Sequence, residues 1–250
     1  MTQDETWLLK EKYNGKIVEE YNTDCARLKN GEPLAYLIGH IPFINTTIYL
    51  DSHPLIPRTE TEYWVQNVVD EISDRGLASV RVLDLCAGSG CIGIAVLNNI
   101  ADSHVDFVEI DTDHHATIKD NVLKNNIDQT RARVFGGNLF ENITDTYDYI
   151  LTNPPYIDPK LDRTTSSVSE NEPALALYGG KDGVSIISLI IERADKFLKK
   201  SGVLFIEHEP EQVETIHTLA AKKGFFTKTA TDQFGTKRFT RLTRTDSLSM

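Results

Sequence analysis

Val82-Leu83-Asp84-Leu85-Cys86-Ala87-Gly88-Ser89-Gly90 is an apolar run that ends in a glycine-rich turn. The run reads as a buried strand, and the turn passes the chain to a helix starting near Cys91-Ile92-Gly93. Glycine there lets backbone approach a ligand closely and adopt positive φ. Outward from this point the pattern alternates. Apolar and β-branched runs at 81–86, 105–110, 131–135, 147–152, 202–207, 225–230 and 238–243 read as strands. Helical patterns near 91–100, 113–125, 183–199 and 211–223 fill most of the gaps. The expected fold class is α/β, a doubly wound sheet ending in an antiparallel pair. A chain of 250 residues, 40% of them hydrophobic, is large enough for one such domain with a small appendage.

Upstream, Leu8, Leu9, Tyr13, Ile17 and Tyr21 recur at roughly helical spacing until Gly31-Glu32-Pro33 breaks the pattern. The runs 34–38 and 46–50, punctuated by Gly39, Pro42 and Asn45, predict a β-hairpin. Pro57-Arg58-Thr59-Glu60 then leads into a helix through about Ile72, with Thr59 or Thr61 as N-cap. The expected division is a short helical segment (1–32), a hairpin linker (33–58) and the main domain (59–245). The polar, turn-rich stretch 157–181 is long for a loop in a compact domain and reads as a substrate-facing lid. Residues 245–250 read as a frayed tail.

A formal net charge of −11 disfavours a protein built to grip phosphate backbones. Cys25, Cys86 and Cys91 form no C-x-x-C pair, and no His/Cys cluster has zinc spacing, so neither disulfide nor metal is expected. The N-terminus has no apolar leader and no run reaches membrane-span length, so the expectation is a cytoplasmic protein without membrane contact.

Two strand ends carry the chemistry. Gly88-Ser89-Gly90-Cys91-Ile92-Gly93 matches G-x-G-x-x-G, and Asp111 at the end of the second strand is suited to ribose hydroxyls. Asp84 ahead of the turn would be awkward beside a pyrophosphate but can take an ammonium group, or it is a capping carboxylate. The turn also starts two residues later than in a typical dinucleotide binder. Both features fit S-adenosylmethionine, which has an amino acid moiety and no phosphate. The second strand end is Asn153-Pro154-Pro155-Tyr156, after the strand 147–152. Two prolines hold an extended path. The Asn153 side-chain carbonyl and the Pro154 carbonyl form a pair of acceptors suited to a planar NH2 group, and Tyr156 offers a flat face for it. The plainer reading is a Pro-rich turn. Cys86 and Cys91 read as small packing residues, and His114, His115 and His208 as packing or surface groups.

Taken in order, these stretches carry a family resemblance. They are Gly31-Glu32-Pro33-Leu34-Ala35-Tyr36-Leu37-Ile38-Gly39, Leu55-Ile56-Pro57-Arg58-Thr59-Glu60-Thr61-Glu62, Asp84 to Ile92, and Asn153 to Ile157. Asn171-Glu172-Pro173, Gly179-Gly180-Lys181-Asp182-Gly183 and Leu204-Phe205-Ile206-Glu207-His208 add to it. Over about 31–243 the chain resembles the release-factor glutamine methyltransferases, the PrmC/HemK family. The resemblance implies the seven-stranded class I methyltransferase sheet and S-adenosylmethionine as cofactor. It implies transfer of a methyl group to the side-chain amide nitrogen of the glutamine in the Gly-Gly-Gln motif of class 1 peptide-chain release factors, supporting translation termination.

Residue by residue, the resemblance puts Cys86, Ala87, Gly88, Ser89 and Gly90 on the cofactor through backbone, Asp111 on ribose, and Asn138-Leu139 near adenine. Asn153, Pro154, Pro155 and Tyr156 hold the substrate amide. Phe43 and Arg58 are placed upstream along the site, with a surface ion pair to Glu60 or Glu62 as the alternative for Arg58. Cys86 stands where the family often has glycine, and its small side chain is expected to fit without penalty. An amide nitrogen is a poor nucleophile, so alignment rather than a base is the expected contribution, and positioning of this kind can supply roughly 7–11 kcal/mol. The rival reading is an adenine-directed nucleic acid methyltransferase using the same tetrapeptide on a flipped base. The net charge and the few basic residues, Lys237, Arg238, Arg241 and Arg244, weigh against it. A non-catalytic adaptor is disfavoured by the intact Asn153, Tyr156, Asp84 and Asp111.

Overall fold

The computed structural model describes residues 1–161 and 163–245. Its centre is a seven-stranded sheet of β3 (Val80–Leu85), β4 (Ser103–Glu109), β5 (Ala132–Gly136), β6 (Tyr147–Thr152), β7 (Leu198–Glu207), β8 (Phe225–Thr231) and β9 (Lys237–Arg244). The spatial order is β5-β4-β3-β6-β7-β9-β8. The first five strands in that order run parallel, and β9 pairs antiparallel with both β7 and β8. Strand order reverses between β3 and β6, and ligands of open α/β sheets bind outside the carboxyl ends at that switch. Both predicted signatures, the glycine turn after β3 and the Asn-Pro-Pro-Tyr stretch after β6, leave the sheet there. Leu85 is paired with Thr152, and the Thr152 hydroxyl donates to the Leu85 carbonyl at 2.7 Å, so the two strand ends are locked level.

The central strands are apolar on both faces because both faces are covered. One side packs α4 (Thr59–Arg75), α5 (Cys91–Asn99) and α6 (His114–Lys124) against Val82, Val105, Phe107, Tyr149 and Phe205. The other packs α9 (Ser185–Arg193) and α10 (Val213–Lys222) against Leu83, Leu85, Ile150 and Leu204. In α4 the buried set is Thr61, Trp64, Val65, Val68, Val69 and Ile72, one helical stripe. α9 ends at Arg193 rather than near 199, and β7 begins at Leu198.

Ahead of the sheet lie α1 (Gln3–Glu11) and α2 (Glu19–Lys29), which share a small core of Leu8, Tyr21, Cys25 and Leu37. The expected hairpin exists, but its first strand is not 34–38. Those residues form α3 (Leu34–Ile38), closed by Gly39 at φ 92°, and the hairpin pairs β1 (His40–Phe43) with β2 (Thr46–Tyr49). A five-residue run with Gly-Glu-Pro before it carries no periodicity that separates helix from strand. The hairpin is held by two asparagines of α6. The Asn121 carboxamide meets the Tyr49 N–H and carbonyl at 2.7 and 3.0 Å, and Asn125 meets those of Thr47 at 3.0 and 2.8 Å. Two side chains four residues apart thus stand in for a neighbouring strand.

The stretch 157–181 holds α7 (Ser166–Asn171) and α8 (Ala174–Leu177). It returns to its start through Ile157 N–H to the Leu177 carbonyl at 2.9 Å and Gly179 N–H to the Ile157 carbonyl at 3.0 Å. Among the described residues, no helix is long and apolar enough to cross a membrane, and no three His, Cys, Asp or Glu gather as a metal site. The expected frayed tail lies, after Thr245, outside the described residues.

Candidate active site

The ends of β3, β4 and β6 open into one cleft, walled by the glycine turn, the 137–139 loop, Asn153 and Pro155, and α8. Cys86, Ala87, Gly88, Ser89, Asp111, Asn138, Leu139, Asn153 and Pro155 all line it, so the structure brings together most of the residues singled out above. Gly90, Pro154, Tyr156, Asp84, Arg58 and Phe43 stand outside the lining.

Gly90 is the N-cap of α5 at φ 79°, and a side chain there would press on Phe107 and Ile118. Asp84 is fully buried behind the turn, where its Oδ2 accepts the Gly93 N–H at 2.9 Å and its Oδ1 has no partner. Burial pushes its carboxyl up to about 8, a rise opposed by the Gly93 N–H and reinforced by the charge of Glu109. Asp84 therefore caps the first turn of α5, as the capping reading of it has it, and does not line the cleft. Arg58 donates to Glu172 at 2.6 Å, so its partner is neither Glu60 nor Glu62 but a buried carboxylate of the 157–181 stretch. Glu172 also accepts the Ile56 N–H at 3.0 Å, which ties that stretch to the segment before α4. Phe43 is buried in the core under the hairpin.

Tyr156 turns inward. Its hydroxyl donates to Glu207 at 3.0 Å, and burial, with the Glu207 charge, keeps the phenol protonated far above neutral pH. The flat surfaces that do line the cleft are Pro155 and Tyr178. Backbone behind the tetrapeptide is crowded. A Cβ on Gly179 would lie 2.6 Å from the Pro155 carbonyl, and one on Gly183 would collide with the Tyr156 carbonyl, so only glycine lets these strands of backbone touch. Gln212 adds a hydrogen bond to the Tyr156 carbonyl at 2.7 Å.

The first position of the turn corrects the reading of Cys86 as cost-free. Its φ is 62°, in the left-handed region that favours glycine. A Cβ there carries strain of roughly 1–2 kcal/mol. Burial pushes the Cys86 thiol up to about 12, so it is no nucleophile at neutral pH. The histidines are engaged as structural groups. His208 is buried with Nδ1 on the Glu209 carbonyl at 2.9 Å and Nε2 on Thr240 at 2.7 Å. His115 contacts the Glu109 carbonyl at 2.9 Å. His114 does reach the cleft wall, with Nδ1 2.8 Å from the Ser52 hydroxyl.

Glu109, the last residue of β4, escaped the sequence reading. Its Oε2 accepts the Gly88 N–H at 2.8 Å and its Oε1 the Asp111 N–H at 2.9 Å, so one carboxylate pins both the glycine turn and the loop after β4. An acidic residue closing an apolar strand was visible as a signal, but Asp111 two places on drew the attention.

The cleft suits a cationic, phosphate-free ligand. None of the described residues lining it is Lys or Arg, and two carboxylates, Glu109 and Asp111, are present. Gly88, at φ 53° with open space where a side chain would stand, leaves room for a ligand against backbone. Val108, Ile110, Leu139 and Ile186 supply apolar wall. A seven-stranded sheet of this order, with these features at its switch point, defines a class I S-adenosylmethionine-dependent methyltransferase. Residues 64–175 match the methyltransferase small domain family. The release factor glutamine methyltransferase of Francisella tularensis is 34% identical, over 89% of this chain and 78% of its own length. That of Bifidobacterium longum is 34% identical over 78% of this chain and 69% of its own. The ribosomal protein uL3 glutamine methyltransferase of Francisella tularensis is also 34% identical, over 77% of this chain and 60% of its own. Among solved structures, the human METTL16 catalytic domain, crystallised with an RNA hairpin, superposes with a TM-score of 0.60 at 15% identity, covering 80% of this chain and 76% of that one, which is a likeness of fold. The chain belongs to the release factor glutamine methyltransferase family.

Proposed function

We propose that the protein transfers a methyl group from S-adenosylmethionine to the side-chain amide nitrogen of the glutamine in the Gly-Gly-Gln motif of class 1 peptide-chain release factors. The observation that carries this reading is the state of Asn153. Its Nδ2 donates to the Thr61 hydroxyl at 3.2 Å while the residue lines the cleft. The carbonyl oxygen is thus the end presented to a ligand, and an acceptor is what a substrate NH2 group needs. The bound cofactor supplies an electrophilic methyl group on a sulfonium centre. Glu109 and Asp111 would hold its ribose, the backbone of 86–90 its amino acid end, and Asn138-Leu139 its base. Asn153 and the Pro154 carbonyl accept the two amide hydrogens, which aims the nitrogen and favours charge developing on it. Pro155 and Tyr178 give the amide plane its walls, the part first assigned to Tyr156.

The rival acting on nucleic acid gains no support from a cleft lined by two carboxylates and no described Lys or Arg. The test is methyl transfer from labelled S-adenosylmethionine to a recombinant class 1 release factor and to its Gln→Ala form. Label in the first alone is expected. Label in ribosomal protein uL3 or in nucleic acid, and none in the release factor, would reassign the substrate. Asn153→Ala should lower kcat by about 10²–10³-fold, the range for removing one such hydrogen-bonding group, with cofactor affinity held within about two-fold.

A further inference from the structure

We propose that Thr61 is a positioning residue that fixes which way the Asn153 carboxamide faces, with Glu207 as its anchor. The inference rests on the reading that Asn153 accepts a hydrogen from the substrate amide. A carboxamide can sit in two flips that differ little in shape but exchange donor for acceptor. The wrong flip would set NH2 against NH2 and repel the substrate. Something must choose the flip, and a chain of hydrogen bonds does so.

The chain starts at Glu207, at the end of β7, with 1% of its surface exposed. Trp64 Nε1 donates to Oε2 at 2.7 Å, and an indole N–H can only donate, so Oε2 is an acceptor. Tyr156 donates to Oε1 at 3.0 Å. The Thr61 hydroxyl donates to the same Oε2 at 2.7 Å. That leaves Thr61 Oγ1 with lone pairs only on its other side. The group 3.2 Å away on that side is Asn153, which must turn its NH2 toward Thr61 and its oxygen away. The polarity is set step by step, from a donor-only indole to the substrate-facing oxygen. Thr61 is 1% exposed and Trp64 is fully buried, so water does not compete for the bonds to Glu207.

Thr61→Val keeps the shape and removes the hydroxyl. Its kcat should fall about ten-fold or more, with cofactor Kd unchanged, while Thr61→Ser should recover most of the wild-type rate. A merely structural Thr61 would act independently of Asn153. A positioning Thr61 acts through it, so adding Thr61→Val to Asn153→Ala should cost nothing further in kcat. Equal kcat in wild type and Thr61→Val, or full additivity in the double variant, overturns the proposal. The flip itself is read without substrate. In cofactor-bound protein labelled with ¹⁵N, the Asn153 amide protons should show cross-relaxation to the Thr61 methyl group that weakens in the Thr61→Val form, measured to its valine methyls. An unchanged pattern overturns the proposal as well. If wild type labels no release factor, the substrate reading fails, and the spectroscopic result still decides the flip.

Discussion

Asp84 and Glu207 are two carboxylates buried at strand ends on opposite sides of β6, and they are treated differently. Glu207 receives three donors, from Thr61, Trp64 and Tyr156. Asp84 receives one, from Gly93, and its second oxygen has none. Burial raises both, but at Glu207 the three hydrogen bonds and Arg238 oppose the rise, whereas at Asp84 only one N–H does. Donors on a buried carboxylate's lone pairs offset the cost of burying its charge, and Glu207 has three where Asp84 has one. The difference separates a hub tied to Thr61, Trp64 and Tyr156 from a brace under the glycine turn.

The largest effect expected from breaking this contrast is Glu207→Leu. It strands three buried donors, each worth about 1–3 kcal/mol when left unpaired. A loss of roughly 3–5 kcal/mol in unfolding free energy should appear in a urea titration, and a midpoint equal to wild type would mean Glu207 is no hub.

Asp84→Asn sharpens the other side. The folded carboxyl stands near 8 against an ordinary 3.8, so between those values the folded chain holds a proton that the unfolded chain has lost. Stability contributed by that residue therefore falls as pH rises through this window. Wild type should lose stability relative to Asp84→Asn between pH 5 and 8. Parallel melting curves across that range would show that Asp84 is ionised in the fold.

The smallest effect concerns the turn itself. With its thiol pushed up to about 12, Cys86 should resist iodoacetamide at pH 7.5 in the native protein and react in urea. Rapid native labelling, followed by peptide mass, would contradict that account.

Much of this was legible before any coordinates. All seven strands of the sheet lie close to where alternating and apolar runs place them; the central strands, buried on two faces, leave a continuous apolar signature, and the edge strands a weaker, alternating one. The glycine turn, Asp111, Asn153 and Pro155 meet at the cleft because strand ends at a switch point converge whatever the loops do. The misreadings share a different cause. Thr61 was weighed as a helix cap, and the structure gives the cap position to Arg58, with no side-chain hydrogen bond, and Thr61 to Glu207. Asp84 read either as a carboxylate for an ammonium group or as a capping carboxylate, and the Gly93 N–H of α5 takes its Oδ2. Tyr156 read as a platform, yet its hydroxyl is drawn inward to Glu207.

The sequence by itself determined the α/β class and the family, since these rest on local periodicity and contiguous motifs. Only the tertiary structure decided which carboxylate is filled and which is not, which aromatic lines the cleft, and which way the Asn153 carboxamide points. Those outcomes depend on contacts between residues 51 to 146 positions apart, such as Tyr156 and Thr61 with Glu207. A hydrogen-bond partner across that distance leaves no mark in the spacing of either residue's neighbours.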